Sequence, residues 1–277
     1  MVGWQGLSQR LSACHTERVA KLDWTWLGTV PYGEALRLQN ALADKRRDGA
    51  LADTLLLLEH PPVVTKGRRT DARELGMGED WYRMQGIEVA ETDRGGRVTY
   101  HGPGQLVAYP VVEIAGVTPG DQPDVHAFVH ALEDVMLGAL AAHGIPTQIF
   151  DGLTGVWTAG RPPVPLGTEG PQGEAVAARD EELASADAEA RKIGSIGIHV
   201  SRGVSTHGLA INVNNDLQPF DWIVPCGMEA ARMTSVSREL GAEQDLAEFT
   251  ATVRDHFGEV FGRELNEVEA PTGVGAA

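Results

Sequence analysis

Arg94-Gly95-Gly96-Arg97-Val98-Thr99-Tyr100-His101-Gly102-Pro103-Gly104-Gln105 is the stretch whose reading decides the fold. Four glycines and a proline fall within twelve positions, so the backbone here must bend sharply or approach something closely. On one side, Glu88-Val89-Ala90-Glu91-Thr92 reads as a strand entering the loop; on the other, Leu106 to Val112 reads as a strand leaving it. A glycine-rich loop between strands presents backbone N–H groups to an anion or a carbonyl oxygen, so phosphate binding and oxyanion stabilisation are the two chemistries to weigh. The stretch lacks the Gly-Lys-Ser/Thr ending of a P-loop. It also leads into a strand and not a helix, which sets aside the phosphate cradle of dinucleotide-binding folds.

Upstream, Ala35-Leu36, Gln39 and Leu42-Ala43 recur at helical spacing from Tyr32. Lys45, Arg46 and Arg47 suit the C-terminal end of that helix, and Gly49 stops it. Thr54 to Glu59 is a short apolar run closed by His60-Pro61-Pro62, a buried strand leading into a constrained turn. Residues 66 to 80 read as a surface loop holding Lys66, Arg68, Arg69 and Arg73, a basic patch able to dock an acidic partner. Downstream, Asp124 caps a helix with Val125, Phe128-Val129, Leu132, Val135-Met136 and Ala139-Leu140 on one face, closed by Gly144. Ile149 to Trp157 reads as a strand pair turning at Asp151-Gly152. Ile193 to Val200 and Leu209 to Val213 are strands, residues 216 to 228 a loop, and Asp245 caps a last helix ended by Gly262. Helices and strands without regular alternation give an α+β fold, with mixed or antiparallel sheets and packed helices.

The 277 residues carry 23 basic and 39 acidic side chains, a net charge of −16, which argues against nucleic acid or an anionic membrane as partner. Two cysteines, Cys14 and Cys226, are too few for a disulfide framework or a cysteine zinc cluster, and a reducing cytoplasm is the expected compartment. The first twenty residues hold no signal-peptide core, and no later run approaches about 18 consecutive apolar residues. Between 168 and 190 seven acidic residues face one base, with no aromatic, so 160–190 reads as an exposed insertion.

Several chemistries can be weighed from side chains alone. His101, His199, His207 and Cys226 lack the spacing of a zinc site, so no metal is expected, and no Gly-x-Ser-x-Gly marks a serine triad. Cys226, between Pro225 and Gly227, is either a buried inert thiol or an exposed reactive one. Lys192 is either a surface lysine or a clamp on a ligand. Together the two could make a nucleophile and its cationic activator, since a thiol of pKa about 8.5 ionises readily beside a cation.

Asp93 to Val107 followed by Tyr109-Pro110 closely resembles the signature of the lipoyl (octanoyl) transferases, the LipB family. Glu59-His60-Pro61-Pro62-Val63, Gly155-Val156-Trp157, Lys192 to Ile198, His207 to Val213 and Pro225-Cys226-Gly227-Met228 match further family blocks in the family's order, from about Leu27 to Gly262. The resemblance implies the catalytic fold of biotin and lipoate protein ligases, as one acyltransferase domain over 25–265 with an N-terminal extension at 1–24 and a flexible tail at 266–277. It implies transfer of octanoyl from octanoyl-acyl carrier protein, with no cofactor, to a lysine of lipoyl domains, those of 2-oxoacid dehydrogenase E2 subunits and of the glycine cleavage H protein. Cys226 matches the acyl-thioester nucleophile and Lys192 the residue that lowers its pKa. The substrate-binding blocks fall on Arg94, Gly95, Gly96, Arg97, Val98, Thr99, Tyr100 and His101, on Ser195, Ile196 and Gly197, and on Gly208, Leu209 and Ala210. The acidic 160–190 segment has no counterpart in the compact family pattern.

Overall fold

The computed structural model describes residues 20–118, 122–161, 189–224 and 232–270. Cys226 and most of the acidic insertion lie outside them. Eight strands form one mixed sheet, in the order β11 (Glu264–Glu267), β1 (Lys21–Thr29), β2 (Asp53–Glu59), β6 (Gln105–Val111), β10 (Val204–Asn212), β9 (Lys192–Ser201), β8 (Leu153–Thr158) and β7 (Thr147–Phe150). The pairs β11–β1 and β1–β2 are parallel and the remaining neighbours antiparallel. A second sheet has the order β4 (Glu88–Glu91), β3 (Val63–Lys66), β5 (Val98–His101). The expected mixed-sheet α+β architecture is therefore present.

Helices cover the large sheet on both faces. Against one lie α3 (Val125–Ala142) and α5 (Leu246–Phe261), whose Phe128, Leu132, Phe249 and Phe257 share a core with Leu55, Leu57 and Ile211 of the sheet. Each starts where an aspartate accepts two backbone N–H groups, Asp124 from His126 and Ala127 and Asp245 from Ala247 and Glu248. By length and composition α3 could cross a membrane, with a mean hydropathy of 1.3, although it interleaves His130, Glu133 and Asp134 with its apolar residues. Its seven buried positions face the sheet, the placement of a core helix. On the opposite face α1 (Tyr32–Arg47) packs Ala35, Leu38 and Leu42 over Leu56, Leu58 and Val107.

Four elements depart from the sequence reading. β1 starts at Lys21, inside the expected 1–24 extension, and β11 includes residues 266 and 267 of the expected tail. Both are edge-side strands with mixed polar sequence, recognisable only through their parallel partners. Residues 66–80 are not wholly loop, because α2 (Glu79–Met84) begins there and covers β4 through the buried Tyr82. β10 begins at Val204, five residues before the expected Leu209. Its polar Ser205-Thr206-His207 start hides the strand from a reading by apolar runs, and all nine of its residues are buried.

Candidate active site

The glycine stretch forms one wall of a cleft between the two sheets. Arg94 anchors it: the buried guanidinium donates from Nη2 to the Thr65 carbonyl at 2.8 Å and from Nε and Nη2 to Thr65 Oγ1, and from Nη1 to Gly95 O. One residue on, the Gly95 N–H donates to Ile198 O of β9 at 2.8 Å, joining the small sheet to the large one. The close approach requires glycine on both sides. A Cβ at Gly197 would stand 3.0 Å from Arg94 Cδ and 3.2 Å from Gly95 O, and one at Gly67 2.6 Å from Gly96 O.

The cleft is narrow and opens to solvent. Of the residues expected from sequence to bind substrate, Arg94, Gly96, Arg97, Val98, Thr99, His101, Ser195, Ile196, Gly197, Gly208, Leu209 and Ala210 line it. Two do not. Gly95 is turned to the Ile198 carbonyl, and Tyr100 points away into an apolar cluster against Phe220, its ring edge-on at 5.5 Å. Strand alternation explains Tyr100, because Thr99 and His101 on either side face the cleft.

Three lining residues were not among those expected to bind substrate: Tyr32 at the start of α1, Tyr109 on β6 and His207 on β10. With His60 and His101 they make a buried aromatic floor, in which Tyr32 and His101 are stacked and His60 meets both edge-on. The hydrogen bonds fix the tautomers. His60 Nδ1 donates to the Val30 carbonyl, so Nε2 accepts from the Tyr109 hydroxyl, both at 2.7 Å. His101 Nδ1 donates to Gln105 Oε1 at 2.6 Å, because the Gln105 amide nitrogen is committed to Tyr100 O and Asn212 Oδ1. Burial pushes His60 down to about 4 and His101 to about 3, the latter helped by the neighbouring His60 and Arg94 charges. Burial also raises the Tyr109 phenol well above its ordinary value. Burial raises the Tyr32 phenol above its ordinary value, with Thr92 beside its hydroxyl.

Lys192 opens β9 and is buried, only 3% exposed. Its Nζ donates to the Thr154 carbonyl at 2.9 Å and sits 5.2 Å from the Trp157 ring centre. Gly155, at φ +105°, makes room for the stem, since a Cβ there would come within 2.9 Å of Lys192 Cε. The Lys192 N–H donates to Arg232 O, and Lys192 O accepts from the Thr234 N–H. The chain that follows the Cys226 segment is thereby pinned beside the lysine. Among the described residues no group of three or more His, Cys, Asp or Glu is arranged to hold a metal.

A solved archaeal lipoylation system, a bipartite lipoate protein ligase and its E2 lipoyl domain from Thermoplasma acidophilum, superposes at a TM-score of 0.63 and 17% identity, over 92% of this chain and 88% of that one. A lipoate-protein ligase A bound with ATP gives 0.57 at 16%, over 92% and 90%. At those identities the likeness shows the fold alone. The family model for the lipoyl protein ligase A/B catalytic domain matches residues 31–258. Octanoyltransferases from Rubrobacter xylanophilus and Koribacter versatilis are 41% and 37% identical, over 89% and 88% of this chain and 96% and 86% of theirs. One from Mycobacterium tuberculosis is 40% identical over 85% of each. The chain belongs to the lipoyl protein ligase A/B catalytic domain family, and within it is an acyltransferase.

The neutral floor predicts acid lability. For a histidine whose folded pKa lies below its unfolded 6.5, the unfolded chain binds the proton first as pH falls. Stability is therefore full above about 6.5 and declines toward the folded pKa, about 4 for His60. Urea unfolding at pH 7 and pH 5 should show a loss of about 2 kcal/mol for each such histidine. His60→Gln should remove its share of that difference; an equal loss in wild type and variant would contradict the assignment.

Proposed function

We propose that this chain transfers octanoyl from the phosphopantetheine thioester of acyl carrier protein to the lysine amine of a lipoyl domain, through a thioester on Cys226. The acyl class and its place in lipoate biosynthesis follow from the octanoyltransferase relatives. The observation that most supports the covalent route is Lys192, buried at the start of β9, whose Ser195, Ile196 and Gly197 line the cleft, and hydrogen-bonded through its backbone to Arg232 and Thr234. Cys226 falls between that anchored stretch and Val224, whose N–H donates to Glu74 O.

The steps balance without a further reactant. The resting pair shares one proton: it passes from the Cys226 thiol to the neutral Lys192 amine, and the thiolate left beside the new ammonium attacks the thioester carbonyl carbon. The carbon–sulfur bond to the carrier breaks, and the departing pantetheine sulfur takes the proton back. In the second half the lipoyl-domain amine attacks the acyl-enzyme carbonyl, the bond to Cys226 breaks, and the amine proton returns through Lys192 to the cysteine. Thioester exchange is nearly balanced and aminolysis of a thioester runs downhill, so ATP has no task. Cys226→Ala should abolish turnover, and the wild type should turn over with ATP absent. Turnover by the alanine variant, or an ATP requirement, would favour a ligase. Lys192→Ala should move the pH dependence of Cys226 alkylation upward, and an unchanged profile would remove the lysine from the proton transfers.

The donor side has a candidate docking point. Arg68 and Arg69 are exposed and form no ion pair among the described residues, whereas nearby Lys66, Arg73, Arg83 and Arg97 are neutralised by Glu79, Asp71, Asp80 and Glu74. Both are tied to the cleft wall, Arg68 N–H to Arg94 O and Arg69 N–H to Gly96 O, each at 3.1 Å. An acidic carrier would meet these two positive charges at the mouth of an otherwise acidic protein. Reversing both to Glu should raise the apparent KM for the acyl carrier roughly tenfold with little effect on kcat. An unchanged KM would place the docking surface elsewhere.

A further inference from the structure

His207 is held in a backbone conformation that a histidine seldom adopts. Its φ is +59°, and among the described residues only it and Arg202, in the turn between β9 and β10, are non-glycine residues in the left-handed region. Its ring lines the cleft, with Nε2 donating to Asp93 Oδ1 at 2.8 Å and its edge against Tyr109. The carboxylate only accepts, so the Nε2 hydrogen is fixed. Asp93 also stands 3.6 Å from His199, and the backbone N–H of His207 donates to Gln39 Oε1 at 2.6 Å. Local strain of this kind persists only where surroundings over-determine it. Here an aspartate of the glycine loop and a glutamine of α1 do so.

The position along the strands gives the residue a use. From Ser195, three residues beyond Lys192, the hairpin register runs Ser195↔Ala210, Ile196↔Leu209, Gly197↔Gly208, Ile198↔His207. Three steps at about 3.3 Å span about 10 Å. The seven C–C bonds of an extended octanoyl chain, at roughly 1.5 Å each and tetrahedral angles, span about 9 Å. The first part of that track is glycine and apolar side chain; its end is the ring set of His207, Tyr109, Tyr32 and His101.

We infer that His207, locked by Asp93 and Gln39, is the stop that sets the acyl chain length. This rests on the proposed function in placing the reacting carbonyl beside Ser195, at the end of the track toward Lys192. A chain longer than eight carbons would have to displace buried rings held by hydrogen bonds. His207 is thus a specificity-determining residue, and His207→Gly removes the ring while keeping a residue that takes a positive φ without strain.

Calorimetric titration of the full chain with octanoate, decanoate and dodecanoate tests this without requiring any acyl transfer. The wild type should bind octanoate tightest. In His207→Gly the decanoate-to-octanoate affinity ratio should rise at least tenfold, the scale of burying two more methylenes. His207→Asn, smaller and also tolerant of the left-handed region, should move the ratio the same way and covers the case of a glycine variant that does not fold. A ratio unchanged in a folded variant, or a wild type indifferent to chain length, would overturn the inference. Because the readout is binding, failure of the cysteine route would show separately, as intact affinity without an acyl adduct.

Discussion

The site depends on the Arg94 guanidinium. Buried against Thr65, it fixes the glycine loop to β3, and the adjacent Gly95 N–H fixes the same loop to β9. Those bonds hold the two sheets at the spacing that leaves a narrow cleft between them. A buried arginine is tolerable only when its donors are satisfied, and here a backbone carbonyl and a hydroxyl satisfy them. The glycines at 67 and 197 follow from this clamp, since backbone and guanidinium approach within the space a Cβ would fill. A loop whose composition first suggests an anion cradle thus works chiefly as a rigid wall.

The wall and the floor have different chemistry. Glycines and small apolar residues of β9 and β10 make a track suited to an alkyl chain, while the floor is a set of neutral histidines and tyrosines in fixed tautomers. Burial keeps these rings uncharged, so the floor is polar without being ionic. The cations Arg94 and Arg97 stand in the wall, and Arg68 and Arg69 are hydrogen-bonded to that wall through their backbones.

The elements legible in the sequence were those with local signals. α3 and α5 have aspartate caps and full apolar faces, and β2 and β6 are continuous apolar runs. β1, β11 and the start of β10 have no such signal, because their polar residues are held in strands by partners distant in the chain. The same division holds at the site. The glycine stretch, Ser195–Gly197 and Gly208–Ala210 could be placed from the family pattern, whereas the residues alone left Cys226 and Lys192 each with two readings. Tyr32, Tyr109 and His60 were not read as site residues, since each looks like an ordinary core or turn residue until three elements meet. His207 was hidden for a further reason: a positive φ at a histidine has no signature in sequence.

The central claim is that acyl transfer passes through Cys226. Its most direct test is single-turnover incubation of the intact chain with octanoyl-acyl carrier protein, followed by mass measurement of the whole protein. The account predicts one octanoyl increment, mapping to Cys226 and discharged when apo lipoyl domain is added. A protein that completes transfer to the lipoyl domain while never carrying the increment would contradict it.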